Sequence, residues 1–593
     1  MSADHIHAPD APGFKLDPRV VGAFARFAGG FWRGATSKSA WALTLGLAAC
    51  LLLSTGATVA MNHWNRWFFD SLEARNVADV TSSVFVFFLI VAAMAAVGVG
   101  IVLTRETLQV RWRAWLVEHL VARWLGNQRF YHLNVSGKEP PNPEYRISDD
   151  TRWATEPLVD LGIGLVLAVA GAAAFISILW TVGGAITFDP GFGAVTIPAY
   201  MVWVALAYGI FASGLMLWVG APLVGYVGRK NEAEGYFRFG MMRIRDNAES
   251  VALMQGARYE QAVLSRLYGT VVARWMAIVW QHGHLTWITN ASGPMIPVVP
   301  LLFAAPKYLA GELSLGQVTQ LAAAFIQVQI AISWVVDNYN RVAEWYASAR
   351  RVLDIVTASD AIDGDIAAQT GLRPAHGAAI VMQDVAVTDG SGRPLMSCAS
   401  FTVNPGESVH ISGESSTGKS VLVRVLAGLW PRSRGTLTLP EKARVMIAPQ
   451  KSYLPLGSLK GSLLYPEPDM EVSDTELIAA LERVGLGQLK GRLSEVARWD
   501  QVLSNGERQR LAVARLLVHK PDIVVLDDAL SALDEAAQAT LLGRIEADLP
   551  KATVITLGQR LGSAAHHDRH YTLERDGEAA CLVPLVPALA RAT

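Results

Sequence analysis

The sequence predicts two domains of different class in one chain: a polytopic all-α membrane domain with six transmembrane helices, followed by an α/β domain. Three observations predict it. Long apolar runs lie only in the first 340 residues of the 593. The chain is 51% hydrophobic and only 17% charged, too apolar for an ordinary water-soluble protein and natural for membrane spans. Beyond the apolar runs, short β-rich stretches such as AAIVMQDVAV and ARVMIAP alternate with helical ones, the pattern of an α/β sheet. The formal net charge of −1 gives no basic field, so nucleic acid is not an expected partner. Cys50, Cys398 and Cys581 are too far apart to suggest a metal site or a disulfide framework.

Taken in order, residues 1–38 form an N-terminal segment without the basic stretch and apolar run of a cleavable signal peptide. Within it PRVVGAFARFAGGFWRG, 18–34, is basic and amphipathic and reads as an elbow helix along the inner membrane leaflet. Residues 39–355 form the membrane domain. Its apolar runs are 41–61, 84–103, 159–186, 197–223, 284–306 and 316–338, each about the 20 residues a spanning helix needs. The fifth run carries four prolines in HLTWITNASGPMIPVVPLLFAAPKY and is expected to kink. Residues 1–40, 104–158 and 224–283 carry five, eight and eight Lys/Arg, against two, none and none in 62–83, 187–196 and 309–315. Basic loops stay in the cytoplasm, so both chain ends are expected there. Residues 245–275 have helical periodicity and read as an extension of the spans into the cytoplasm. The polar stretch 356–378, broken by Gly and Pro, reads as a linker. The α/β domain occupies 379–580 and a tail 581–593.

Two motifs in the α/β domain carry chemistry. GESSTGKS, 413–420, fits G-x-x-x-x-G-K-[ST] between an apolar strand and a helix, the context that makes it a phosphate-binding loop. Backbone N–H groups of Gly413, Ser415, Ser416, Thr417, Gly418, Lys419, Ser420 and Val421 are placed to wrap phosphates. Lys419 reaches the β/γ oxygens, and the Ser420 hydroxyl binds Mg²⁺. VVLDDALSALD, 524–534, ends an aliphatic strand in two carboxylates. Alone it reads as a strand followed by a capped helix. Behind a phosphate loop, Asp527 suits a Mg²⁺ ligand and Asp528 a group that polarises attacking water.

Between these motifs, LSNGERQRLAVARLL, 503–517, resembles the signature of ATP-binding cassette (ABC) proteins, and the order phosphate loop, Gln450 in APQKSYLPLGSL, signature, VVLDDALSALD is that of the family. The resemblance implies a P-loop ATPase with ATP and Mg²⁺ as cofactors, working as a homodimer in which two cassettes sandwich two nucleotides. It implies γ-phosphate contacts from Ser504, Asn505, Gly506 and Glu507 at the signature. It further implies Mg²⁺ sensing by Gln450 alongside Ser420 and Asp527, and a seam-crossing loop containing Ser531 and Asp534. Catalysis is expected from Asp528, Gln559 and Lys419. Four positions depart from the family pattern. Asp528 stands for the usual Glu, Gln559 for the usual His and Ser416 for a common Gly, and no aromatic occurs in VAVTDGSGRP, 385–394. Slow hydrolysis is the expectation.

NPEYRISDD, 142–150, resembles a segment shared by peroxisomal acyl-CoA transporters and the bacterial SbmA/BacA-like peptide-uptake proteins. Residues 304–352, GLWPRSRG and PQKSYLPLGSLKGSLLYP extend the likeness to the second group. That resemblance implies an exporter-type ABC fold in a bacterial inner membrane. It also implies ATP-driven uptake of peptides, including antimicrobial-type peptides, or of other bulky polar solutes such as cobalamin. An exporter of lipid or hydrophobic drug is the first alternative, and a nucleotide-binding sensor with slow turnover the second. Gln317, Gln320 and Gln327 share one face of the last span. They either line a solute route or hold helices together.

Overall fold

The computed structural model describes residues 16–188, 195–369, 371–389, 392–414, 417–430, 432–441, 443–558, 566–576 and 579–585. Contacts divide the chain into two units. The first comprises Met1–Phe130 and Glu139–Ser359, the second Tyr131–Lys138 and Asp360–Thr593.

The membrane unit is helical. Six stretches among the described residues are long and apolar enough to cross a bilayer: Ser37–Glu73, Val77–Val135, Pro143–Gly183, Tyr200–Asp246, Ala257–Leu309 and Leu315–Ile366. Helix α1, Pro18–Ala28, starts at Asp17, whose carboxylate accepts from the Arg19 N–H at 2.9 Å. Its apolar face is not left for lipid alone. Phe24, Ala28 and Phe31 are buried in a cluster with Trp112, Leu116, Trp345 and Tyr346. Helices α2, Ser37–Glu73, and α3, Val77–Leu125, are separated by Arg75 at φ +54° and by Asn76, which caps α3 through Ala78 and Asp79. Large apolar side chains on α3 such as Phe85 (75% exposed) and Leu89 (70%) face outward, as lipid would require of a spanning helix.

A short helix α4, Arg129–Val135, follows. Its last part belongs to the second unit, where Leu133 is buried and Lys138 pairs with Asp365 at 2.5 Å. A π-helical turn, Arg146–Asp150, then leads into α5, Thr151–Gly183. Helix α6, Tyr200–Gly220, continues into α7, Pro222–Asp246. The expected helix over 245–275 is broken. Asn247 and Met254–Gly256 interrupt it, setting apart the six-residue α8, Ala248–Leu253, before α9, Ala257–Ser292. The proline-rich fifth run splits at Gly293–Pro294, where α10, Met295–Leu309, begins. Helix α11, Leu315–Asp337, opens with a capping box between Ser314 and Gln317.

The expected linker is not a loop throughout. Helix α12, Tyr339–Gln369, runs through 356–369 before strand β1, Gly371–Gly377, and Ala361, Ile362, Ile366 and Ala367 give its sequence enough apolar content to continue the helix. The boundary between units falls inside this helix, at Ser359/Asp360.

The second unit holds a ten-stranded sheet. Its strands in chain order are β1, β2 (Ile380–Thr388), β3 (Pro394–Val403), β4 (Ser408–Gly413), β5 (Ser433–Pro440), β6 (Val445–Ala448), β7 (Ile523–Asp527), β8 (Thr553–Gly558), β9 (Arg569–Asp576) and β10 (Ala579–Pro584). The spatial order is β1-β5-β2-β3-β10-β9-β4-β8-β7-β6. Strands β9, β4, β8, β7 and β6 run parallel, and the central three, β4, β8 and β7, are buried on both faces. Strand β7 shows why: Ile523 and Val525 enter the sheet-side core, while Val524 and Leu526 enter a core built with the helices around Leu477, Leu511 and Leu541. The sheet runs past residue 580, where the tail was expected to begin. Cys581 and Leu582 pair with Glu574 and Leu573, so that segment continues β10, which lies inside the sheet between β3 and β9.

Candidate functional site

Strands β4, β6, β7 and β8 are parallel, so their carboxyl ends come out along one edge, where open α/β sheets place ligands. The phosphate loop leaves β4 there. Gly413 is required by crowding: a Cβ would lie 2.8 Å from the Thr417 hydroxyl and 3.1 Å from Leu573. Gly418 sits at φ +99°, a conformation that favours glycine, and turns the chain into helix α13, Lys419–Leu426. The Thr417 hydroxyl donates to the Glu414 carbonyl at 2.8 Å and braces the turn. Lys419 is 6% exposed, and its ammonium donates to the Gly413 and Glu414 carbonyls at 2.5 and 2.9 Å. Ser415 and Ser416 lie outside the described residues, so the loop's geometry rests on its two ends.

Two positions from β4 in the order of the sheet, beyond β8, β7 delivers Asp527. Ser420 is among the groups that bear on its carboxylate, which brings together the two residues that sequence reasoning paired as metal ligands. Burial pushes the Asp527 pKa above the ordinary carboxylate range, and the neighbouring Asp528 pushes it further. Arg424, Ser420 and Lys419 oppose the shift. A carboxylate that is costly to ionise beside a hydroxyl and near two cations suits a divalent cation and phosphate oxygens. Asp528 adopts φ +47°, a left-handed conformation that Asp tolerates. Its N–H donates to the Leu557 carbonyl at 2.9 Å, fixing the turn after β7 to β8. Its Oδ1 lies 3.7 Å from where a Gly558 Cβ would be, so the carboxylate faces the end of β8. Gln559, the next residue, lies outside the described residues. Gln450 is exposed two residues beyond β6, on the same edge of the sheet.

The signature residues belong to the other core. Ser504 caps helix α14, Asn505–His519, in a reciprocal box with Glu507. Hydrogen bonds from the Ser504 backbone and hydroxyl hold the Glu507 carboxylate below its usual range. Asn505 accepts from Arg508, and Gln488 donates to Glu507 at 3.4 Å. Gly506 lies close under Leu533: a Cβ would come within 3.2 Å of it. Asp534 caps α15, Glu535–Asp548, by accepting from the Ala537 N–H at 3.0 Å.

Three positioning residues escaped the sequence reading. Buried Gln509 donates to the Ser531 hydroxyl at 3.4 Å and accepts from the Ala532 N–H at 2.9 Å, tying the signature helix to the loop after Asp528. Arg515 donates to the Tyr453 and Ser462 carbonyls at 2.8 and 2.5 Å, tying that helix to the segment after Gln450. Its burial pushes the guanidinium pKa down to about 10. Arg424 acts on Asp527 from α13. Gln509 and Arg515 lie inside the quoted LSNGERQRLAVARLL, whereas Arg424 lies four residues beyond GESSTGKS.

The family described as ABC transporter transmembrane region 2 matches residues 34–309, and the family described as ABC transporter matches residues 396–531. The inner membrane ABC transporter ATP-binding protein YddA of Escherichia coli is 26% identical over 90% of this chain and 94% of its own. The human lysosomal cobalamin transporter ABCD4 is 27% identical over 78% of this chain and 80% of its own. A solved structure of a bacterial Atm1-family ABC exporter with ATP bound superposes with a TM-score of 0.67 at 18% identity, over 90% of this chain and 93% of that one, which shows the shared fold. The chain is therefore an ABC transporter with fused transmembrane and ATP-binding domains, related to the D-type transporters and coupling ATP hydrolysis to transmembrane transport.

Proposed function

We propose that the chain is one half of a homodimeric transporter of a bacterial inner membrane, with both chain ends in the cytoplasm. It takes up peptides or other bulky polar solutes of about the size of cobalamin. The observation that carries the ATP-driven part is the buried Lys419 ammonium, held among the described residues by carbonyls of its own loop, near Ser420 and Asp527. Bound ATP brings γ-phosphate charge to Lys419, and Mg²⁺ is held by Ser420 and Asp527 with Gln450 at its edge. Mg²⁺ supplies neutralisation of the phosphate charge, and the chain supplies orientation. Asp528 directs a water, Gln559 donates to the γ-phosphate, and Ser504 and Gly506 at the start of α14 meet the nucleotide held by the partner. Asp reaches one methylene less than Glu, which makes hydrolysis slow.

The solute class rests on the resemblance to peptide-uptake proteins and on the relative named as a cobalamin transporter. The inner-membrane placement rests on the YddA relative and on the basic loops. The glutamines of the last span support it only in part. Gln317 is engaged in the Ser314 capping box and Gln320 is buried against α2, which leaves half-exposed Gln327 for a polar route. A second reading, a nucleotide sensor with little turnover, is favoured by Asp528 and Gln559 in place of the usual Glu and His. Uptake of labelled peptide and labelled cobalamin into right-side-out and inverted vesicles, with and without ATP, separates these readings. ATP-dependent accumulation of either solute in the inward sense is expected, and Lys419→Ala abolishes it. Accumulation that survives Lys419→Ala leaves the cassette a regulatory role.

A further inference from the structure

The start of the third span and the end of the sixth are joined by charge pairs that sequence reasoning did not connect. Arg146, 7% exposed, donates to Asp354 at 2.7 Å and to the Arg351 carbonyl at 3.0 Å. Asp150, fully buried, accepts both forks of Arg351 at 2.8 and 2.7 Å. Further along, Asp160 accepts from Arg341 at 3.1 Å and from Gln109 at 2.9 Å. Between these rungs the Trp345 indole donates to the Ala154 carbonyl at 3.0 Å. The partners run antiparallel, with 146 opposite 354, 150 opposite 351 and 160 opposite 341. All six residues belong to the membrane unit.

The signs of the charges fix the register. One helical turn is about 3.6 residues. A slide of one turn in one direction brings Asp150 opposite Asp354. A slide of one turn the other way brings Arg146 opposite Arg351. Each mismatched pair sets a buried group, Asp150 or Arg146, against a partly exposed like charge, Asp354 or Arg351, so both one-turn ratchets are disfavoured. The bidentate Arg351–Asp150 fork adds orientation to register. A buried carboxylate paired in this way is weak ground for stability and better ground for specifying one arrangement.

Two of the three chain crossings between the units, at Lys138/Glu139 and Ser359/Asp360, lie within a few residues of these rungs. Helix α12 crosses the unit boundary at Ser359/Asp360, five residues beyond Asp354. The segment Tyr131–Lys138 of the second unit returns to the membrane unit at Glu139, seven residues before Arg146. We infer that residues 146–160 and 341–354 form a strut of fixed register that moves as one body through the ATP cycle, delivering cassette motion to the third and sixth spans together. Arg146, Asp150, Arg351 and Asp354 are its positioning residues.

Two experiments on the full chain in lipid nanodiscs test this. In the first, hydrogen exchange is compared without nucleotide and with ADP·vanadate. The unaltered protein is expected to respond both in the cassette and in 151–183 and 315–337. In Asp150→Arg the cassette response stays while the response of the two spans is lost, and the added exchange Arg351→Asp brings it back. A purely structural role for the pair would disturb both regions alike. In the second, Cys50, Cys398 and Cys581 are replaced by alanine. The outer rung is then made Asp160→Cys/Arg341→Cys and joined by a reducible bis-methanethiosulfonate linker. ATP turnover is expected to be the same before and after linking. Spans that respond normally in Asp150→Arg, spans that never respond, or turnover that stops on linking and returns on reduction would each overturn the rigid strut. The linking experiment decides the matter where Asp150→Arg does not fold.

Discussion

Two regions of this chain bury polar groups, and they do so in opposite ways. At the sheet edge of the cassette, Lys419 is buried with carbonyl partners and Asp527 is half-buried beside Asp528, so charge is left for something else to balance. At the contact of α2 with α11, neutral amides cross between helices. Asn62 donates to the Gln320 carbonyl at 3.1 Å, and the Gln320 amide meets the His63 ring at 3.4 Å. A buried ammonium held by the carbonyls of a phosphate loop is placed for a phosphate, whose opposite charge offsets its desolvation. Crossed amides mark helix packing, which in a membrane lacks a hydrophobic drive and uses such bonds.

The sharpest way to break this comparison is to remove the cassette's charge. Lys419→Ala deletes the one ammonium at the phosphate loop. Loss of a preorganised donor of this kind costs about 10²–10³-fold in turnover. Phosphate release from purified protein should fall by that factor, while thermal stability without nucleotide holds or rises as a buried charge is relieved. A variant with undiminished ATPase would mean that the charge serves the fold.

The next effect tests the catalytic carboxylate. Asp528→Glu extends the side chain by one methylene toward the end of β8. If Asp528 directs water from too short a reach, the longer side chain raises kcat by up to about 10²-fold with little change in KM for ATP. An unchanged or lower kcat would show that the φ +47° turn already sets Asp528 at its working distance.

How much of this was legible in the sequence differs between the two regions for a physical reason. Phosphate chemistry needs particular residues at fixed spacing, so GESSTGKS and VVLDD named Lys419, Ser420 and Asp527 before any coordinates. Six spans were legible because lipid demands about 20 apolar residues each. The break at Asn247 was not, because the periodicity of 245–275 is the same on either side of a turn. The continuation of α12 through 356–369 was missed because Gly364 and several acids suggest a loop, whereas Ile362 is buried and holds the helix in place. Gln509, Arg515 and the Asp150–Arg351 fork were invisible for a third reason. Their partners are 23, 62 and 201 positions away, and no local pattern encodes such pairs.

A third prediction concerns a buried group with no ligand in view. His410 on β4 is fully buried, both ring nitrogens lack a partner among the described residues, and His567 and His570 stand beside it. Burial first, and then these two neighbours, push its pKa from 6.5 down to about 4. The folded state therefore keeps His410 neutral where the unfolded chain takes a proton. No penalty exists above pH 6.5, and it grows as pH falls toward 4. At pH 5 it amounts to about 2 kcal/mol. His410→Val should leave the melting temperature at pH 8 nearly unchanged and raise it at pH 5. Equal shifts at both pH values would assign the effect to packing.

The smallest effect bears on the membrane side of the comparison. Asn62→Leu and Gln320→Leu each remove an amide that crosses between α2 and α11. Interhelical hydrogen bonds in membranes average about 0.6 kcal/mol, so each change should lower the unfolding midpoint in detergent slightly and leave uptake within a few-fold of the parent. The complication is that Asn62 Oδ1 and Gln320 Oε1 are buried without a partner among the described residues, as acceptors awaiting a donor would be. If either substitution leaves stability intact but removes uptake, those oxygens face the solute. The amides would then join Lys419 as groups held ready for a ligand, and the contrast between the two regions would fail at this contact.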